Sequence, residues 1–480
     1  MRPSPADTGA VPPLAPADAA PAEAAPAGTA PTGTTPTGAP PARRRGPFAP
    51  VLDAVADPVL RILVTATLIG RVGRGIFLTV TVLYFTLIVG LGATEVAVIL
   101  AASSAAGVLA SFAGGWLADR LPARRLLLAF TAAEGLGLAG YAIAGDFTSA
   151  LVVGIIVGGF GQAANTARMA IIARAFSAEG RVHARAVLRT VTNVAIAVGS
   201  GIGAIALAVG TGDAYRALLV VAALSYLLAL VRLVRLPASV DARPGPDRAA
   251  SLRTATGSID AVGTRRAARR AAAAHSPWRD PRFLLLTALC AIFGMQFGVG
   301  ELGVPLWITQ RTDAPEVLVA AVLILNTVIV VCFQVPLSRG THDLRAAGRA
   351  TAIAAWLMAA ACLVYAAAAG LPAWFAAAVI VIAAVAHAFA EVLSQAGGWG
   401  LSFELADPVR VGTYQGLFGA GYSVGAMAAP LVVAGTTETL GLIGWGILAV
   451  VFLGAGLGIR AIARSAARQA EHAAANPPAA

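Results

Sequence analysis

The sequence predicts an all-α membrane protein: twelve transmembrane helices arranged as two six-helix bundles. Three observations carry that prediction. The chain is 58% hydrophobic and 12% charged, with a mean hydropathy of +0.77, whereas a soluble globular chain carries roughly 25% charged residues. It holds about twelve apolar runs, each near the ~20 residues that a bilayer crossing needs. The runs also fall into two sets of six, on either side of a polar, arginine-rich stretch at 237–281.

Taken in order, residues 1–58 are dominated by Ala, Pro, Thr and Gly. Such a segment cannot bury enough surface to fold, and it lacks the apolar core of a signal peptide. It is expected to be a disordered cytoplasmic tail. The first bundle is assigned to 59–236, with spans at 62–91, 94–117, 125–145, 149–174, 187–210 and 214–236. The linker 237–281 contains Pro244, Pro246, Arg265, Arg266, Arg269 and Arg270 and is too polar to cross a bilayer. The second bundle is assigned to 282–463, with spans at 283–309, 316–338, 348–369, 373–400, 411–435 and 440–462. Residues 464–480 form a second expected cytoplasmic tail.

Loop charges give the orientation. One set of turns holds Arg120, Arg124, Arg125, Arg174, Arg181, Arg185, Arg339, Arg345, Arg349 and Arg410; the other holds Glu95, Asp146, Asp213, Asp313 and Glu438. Arginine excess marks the cytoplasmic side, which places both termini there in a cell membrane. The net charge is +11, and all 35 cations are arginine. Because they sit in short loops between apolar runs, they read as topology signals and not as a nucleic-acid surface. Cys290, Cys332 and Cys362 lie in different runs, with no zinc spacing and no paired framework. No metal or cofactor is expected. No catalytic triad order and no Lys-bearing phosphate loop are present, which argues against an enzyme or an ATP-driven pump.

The turn Gly115-Trp116-Leu117-Ala118-Asp119-Arg120-Leu121-Pro122-Ala123-Arg124-Arg125 stands out between two apolar runs. It resembles the loop between helices 2 and 3 of the major facilitator superfamily, whose pattern is Gly-x-Leu-Ala-Asp-Arg-x-Gly-Arg-Arg. Gly115, Leu117, Ala118, Asp119, Arg120 and Arg124 match, while Pro122 replaces a Gly and Ala123 a basic residue. The halves echo each other weakly, as in Gly73-Arg74-Gly75 against Gly298-Val299-Gly300. The composition resembles actinobacterial members. The resemblance implies two bundles around a central cavity lined mainly by helices 1, 4, 7 and 10. It also implies a gating role for Gly115, Asp119, Arg120 and Arg124, whose contacts hold the outward-open state. The Gly-Pro signature of drug–proton antiporters in helix five is not matched at Gly199–Gly203.

Charges and amides inside apolar spans are costly, at roughly 2.5–3.5 kcal/mol per charge, and usually face a cavity or each other. Candidates for a substrate or proton path are therefore Arg71 and Arg74 on span one, Gln162 and Asn165 on span four, and Gln296 and Glu301 on span seven. His387, Glu391 and Gln395 on span ten join them. Arg71 and Arg74 share a face at i, i+3, and the span-ten trio forms a stripe at i, i+4. Glu391 is the expected partner of Arg74. Glu134 and Arg168 read as structural, an internal ion-pair group and an interface anchor respectively. The whole points to a secondary transporter, a monomer in the lipid bilayer, that moves a small-molecule substrate by alternating access. Protons are the expected coupling ion, and export is the favoured direction. The competing reading is a membrane sensor or scaffold that kept the fold without transporting.

Overall fold

A computed structural model describes residues 57–241 and 276–476. Most of the expected N-terminal tail and of the 237–281 linker lie outside the described residues. Helices follow one another in series: α1 (Pro58–Val89), α2 (Ala93–Ala118), α3 (Ala123–Tyr141), α4 (Phe147–Ala175), α5 (Ala178–Val209) and α6 (Gly212–Leu233). Then come α7 (Pro281–Arg311), α8 (Val317–Ser338), α9 (Leu344–Ala367), α10 (Ala373–Glu404), α11 (Val411–Thr437) and α12 (Leu442–Ala475). The described residues contain no strand. Eleven of these helices are long and apolar enough to cross a membrane. The other, α3, is 19 residues long and carries Arg124, Arg125 and Glu134.

Local chemistry sets the starts. Asp57, Asp146, Asp280 and Asp343 each accept backbone N–H bonds at a helix N-terminus, and Pro58 and Pro281 occupy first-turn positions where no donor is lost. α1 ends in a π-helical segment, Tyr84–Val89, closed by Gly90 at φ 82°. Two boundaries differ from expectation by more than half a dozen residues. α5 starts at Ala178 instead of 187, because Arg181, His183, Arg185 and Arg189 all lie on the helix and tuck partly into the protein. α12 runs on to Ala475, braced where Arg345 pairs with Glu471 at 2.6 Å and Arg282 bonds Gln469 at 2.6 Å.

The packing repeats between halves. α2 packs on α4, α1 on α5 and α6, and α3 on α4 and α6; the same contacts recur as α8 on α10, α7 on α11 and α12, and α9 on α10 and α12. The halves meet reciprocally, α2 and α4 against α11, and α8 and α10 against α5. Core residues show how they meet. At the arginine-rich face one core draws on both halves, including Leu63, Leu127, Ile171, Phe283, Trp399 and Phe418. Toward the acidic face the core divides. Phe77, Tyr84, Phe85 and Tyr141 belong to the N-terminal half alone, and Phe293, Trp307, Tyr365 and Trp445 to the C-terminal half alone. The halves are fused at one end and separate toward the other.

Candidate functional site

Where the cores separate, a cavity of about 330 Å³ opens between α5 of the first half and α7, α8 and α10 of the second. Its polar lining is Arg189, Asn193, Gln296, Glu301, Asn326, Thr327, His387 and Glu391, with Phe297 and Tyr365 supplying aromatic surface. Four residues marked from sequence therefore share one space: Gln296, Glu301, His387 and Glu391.

The centre of the site is an ion pair across the two halves. Arg189 on α5 donates to Glu391 Oε1 on α10, and Asn326 Nδ2 on α8 donates to Glu391 Oε2 at 3.3 Å. The two charged side chains are only 14% and 7% exposed. Removing one partner of a pair this sheltered strands the other charge, at a cost of roughly 3–5 kcal/mol. Arg189 also lies over the Phe297 ring, 5.4 Å from its centroid. His387 sits one turn from Glu391 with its Cε1 against Gly300, and its ring lies 6.2 Å from that of Tyr365. Gln296 is fully buried, donates to Ser394 Oγ at 2.9 Å, and leaves its Oε1 without a partner. Glu301 stands apart from these. It lies in a π-helical turn, Val299–Gly303, and its side chain is exposed to the cavity.

The span-ten stripe divides along its length. His387 and Glu391 line the cavity, but Gln395 does not. Its Nε2 donates to Tyr422 Oη at 3.0 Å and its Oε1 accepts from Trp399 Nε1 at 3.1 Å, so it brackets α10 to α11. Gln162 likewise joins the halves, donating to Ser423 Oγ at 3.0 Å. Asn165 is partly exposed on the same helix.

The expected Arg74–Glu391 pair does not form. Arg189 takes that carboxylate, while α1 turns Arg74 into its own half, over the Phe77 ring at 5.3 Å and near Tyr141 and Tyr226. Arg71 lies within electrostatic reach of Arg168, Arg185 and Tyr226. Glu134 is buried beside this group, its carboxylate lying against the Cα of Gly161, where a Cβ would come within 2.7 Å.

At the arginine-rich face the Gly115–Arg125 turn closes against α11. Asp119 accepts from the backbone N–H of Gly412 and of Thr413, both at 2.7 Å, and from the Thr413 hydroxyl. It thus caps the N-terminus of α11 from across the interface, where unpaired donors and the helix dipole favour an anion. Arg174 of α4 holds the same carboxylate at 3.1 Å. Gly115 permits the approach, since a Cβ there would lie 2.2 Å from Gly412 O. Arg120 and Arg124 each make a contact inside their own half. Arg120 stacks 3.6 Å from the Trp116 ring centroid, and Arg124 Nη2 donates to Val234 O at the end of α6 at 2.6 Å. Arg181 pairs with Glu404 at 3.5 Å farther along the face.

Sequence reasoning missed Arg189, Asn193 and Asn326. With α5 taken to begin at 187, Arg189 looks like an end-of-span charge. Asn326 was the available signal, a lone amide in the middle of an otherwise apolar run.

The model of the Major Facilitator Superfamily matches residues 63–430. The chain is 29% identical over 101 residues to the uncharacterized MFS-type transporter YqjV of Bacillus subtilis (strain 168), covering 21% of this chain and 25% of that one. The match thus spans about a quarter of the relative's length. Among solved structures, it is similar to the human organic anion transporter MFSD10 (TETRAN), with a TM-score of 0.61, 16% identity, and 84% and 99% of the two chains covered. It is also similar to FucP in the outward conformation, with a TM-score of 0.59, 14% identity and coverage of 85% and 98%. A bacterial homologue of the iron transporter ferroportin in its outward-facing state gives a TM-score of 0.62 at 14% identity, again covering 85% and 98%.

Proposed function

The chain belongs to the Major Facilitator Superfamily, and on that premise we propose that it is a proton-coupled secondary transporter of a small organic solute. It works by alternating access in the cell membrane, with export as the working direction. The observation that carries this reading is the Arg189–Glu391 pair, an ion pair between halves at the foot of a cavity. The positive-inside asymmetry makes the arginine-rich face cytoplasmic and both termini cytoplasmic. The cavity then faces outward, the state named for two of the structural neighbours.

The cycle follows from the contacts. With Glu391 ionised, Arg189 and Asn326 hold α5, α8 and α10 together at mid-depth. A proton delivered through the cavity neutralises the carboxylate and removes the charge that Arg189 needs. The shared core at the cytoplasmic face then has one tie fewer, and the balance moves toward opening there. Glu301, exposed in the same cavity, is the group a proton meets on the way. The interface latch between Asp119 and α11 must also part for inward opening.

Proteoliposomes test this. Glu391→Gln should abolish flux driven by a pH gradient while leaving solute exchange, which needs no net proton movement. Glu301→Gln should slow the pH-driven flux. Wild-type pH-driven flux in both variants would falsify the coupling assignment.

A further inference from the structure

The fold does not choose a cargo: the neighbours are named for cargoes as different as organic anions and iron. The charges of this chain do choose. Five arginines lie partly buried in the interior of the N-terminal half: Arg71 and Arg74 on α1, Arg168 on α4, Arg185 and Arg189 on α5. They form a belt of charges within electrostatic reach of one another, with Arg74 and Arg71 both acting on Tyr226, Arg71 on Arg168 and Arg185, and Arg189 on Arg185. Arg189 brings the belt to the cavity wall. Among the described residues, three carboxylates share this interior: Glu134 beside Arg168, and Glu391 and Glu301 across the interface.

Among the described residues, Arg71, Arg74, Arg168 and Arg185 make no ion pair. Arg185 and Arg74 are satisfied only by ring faces, over Trp399 at 4.3 Å and Phe77 at 5.3 Å. The Nε donors of Arg168, Arg185 and Arg189 are buried without an acceptor. The charge is divided by half as well: the C-terminal half brings Glu301, Glu391 and His387 to the cavity and no arginine. Buried cations lacking counter-ions are expensive, and such groups are kept where something else supplies the opposite charge.

Resting on the transporter reading, we infer that the transported solute is an organic anion. Its acidic group, a carboxylate, phosphate or sulfonate, is held by the N-terminal arginine belt. Its body lies in the cavity against Phe297, Tyr365, Asn193 and Asn326. The cavity volume of about 330 Å³ favours a molecule of small organic-acid size over a bare inorganic ion. The division of charge gives the solute and Glu391 a shared partner. An anion reaching Arg189 competes with Glu391 for it.

The test uses the full chain and a bacterial metabolite extract split by ion exchange into acidic, neutral and basic fractions, with chloride alone as a further probe. Uptake into proteoliposomes is read by mass spectrometry against protein-free liposomes, under gradients of both directions. Thermal unfolding of the purified protein is read with the same probes. The expected result is accumulation from the acidic fraction, with stabilisation by it. Arg71→Gln with Arg74→Gln should lower that accumulation at least tenfold, and the Lys pair should restore part of it. Accumulation from the basic or neutral fraction, an unaffected Gln pair, or a response to chloride alone overturns the organic-anion assignment but leaves transport intact. Stabilisation by the acidic fraction without flux keeps the anion site and sinks the transporter reading. Neither flux nor stabilisation by any fraction overturns both.

Discussion

Replacing Asp119 by Asn keeps the shape of the latch and deletes its charge. Three bonds tie this carboxylate to α11: two from the backbone N–H groups of Gly412 and Thr413, and one from the Thr413 hydroxyl. All three join the two halves, so opening at this face requires them to break. The bond to Arg174 stays within one half and survives in either state. Net contributions are roughly 1.5–3 kcal/mol for a hydrogen bond to a charged group and roughly 0.5–1.5 for a neutral one. The Asn oxygen still accepts from the Gly412 N–H, a bond weakened by about 1 kcal/mol. Its NH2 is a donor and cannot accept from the Thr413 N–H, where a bond of about 1.5–3 kcal/mol is lost, so the total is about 3 kcal/mol. At about 1.4 kcal/mol per decade, the closed-to-open ratio at this face falls by about two orders of magnitude. Spin labels at Ser177→Cys and Val409→Cys, both exposed on this face and in opposite halves, read the change by electron–electron distance measurement. The three native cysteines are replaced in that background. The expected result is a longer-distance population that the parent lacks. An Asn variant with the parent's distance distribution would refute the claim that charge at the end of α11 holds the face shut.

Three further substitutions separate neighbouring roles. Gly115→Ala forces a Cβ to within 2.2 Å of Gly412 O, and overpacking of about 1–3 kcal/mol should open the same face in the same distance measurement. Arg124→Ala removes a charge-assisted hydrogen bond to Val234 O within one half, worth about 1.5–3 kcal/mol; the distance distribution should not move. Gln395→Leu leaves Trp399 Nε1 and Tyr422 Oη without their shared partner. At about 1–3 kcal/mol per stranded polar group, thermal unfolding should come at a lower temperature while the KM of the transported solute is unchanged.

Helices were legible in the sequence because hydropathy is a one-dimensional signal: α2, α8 and α11 start within a residue of expectation. The ladder His387, Glu391, Gln395 was legible for the same reason, since spacing alone puts three residues on one stripe. The partner of that stripe was not. Which helix of the other half faces α10 depends on tertiary packing, and Arg189 hid near the assumed start of α5. Asp119 was marked as a gate, but its main partner proved to be backbone. Helix N-termini carry charge that no side-chain pattern records. Gln395 had the polarity of a cavity residue, yet Trp399, one turn on, was ready to absorb it.

The π-helical turn at Val299–Gly303 holds one residue more than an α-helix needs. That surplus is slack stored in the helix. If it moves by one turn, the segment it passes rotates by about 100°, the angular step of one residue. Glu301 sits inside that turn. A migrating surplus would swing the carboxylate from the cavity side toward the Gly298 face, which is packed on Ala429 of α11. The same helix would then serve as both tether and turnstile, passing a titratable group across the wall without tilting a whole bundle. Inserting one residue at this turn should be tolerated worse than deleting one, as read by folded yield in the membrane. Equal loss on insertion and deletion would mean that the slack is not used.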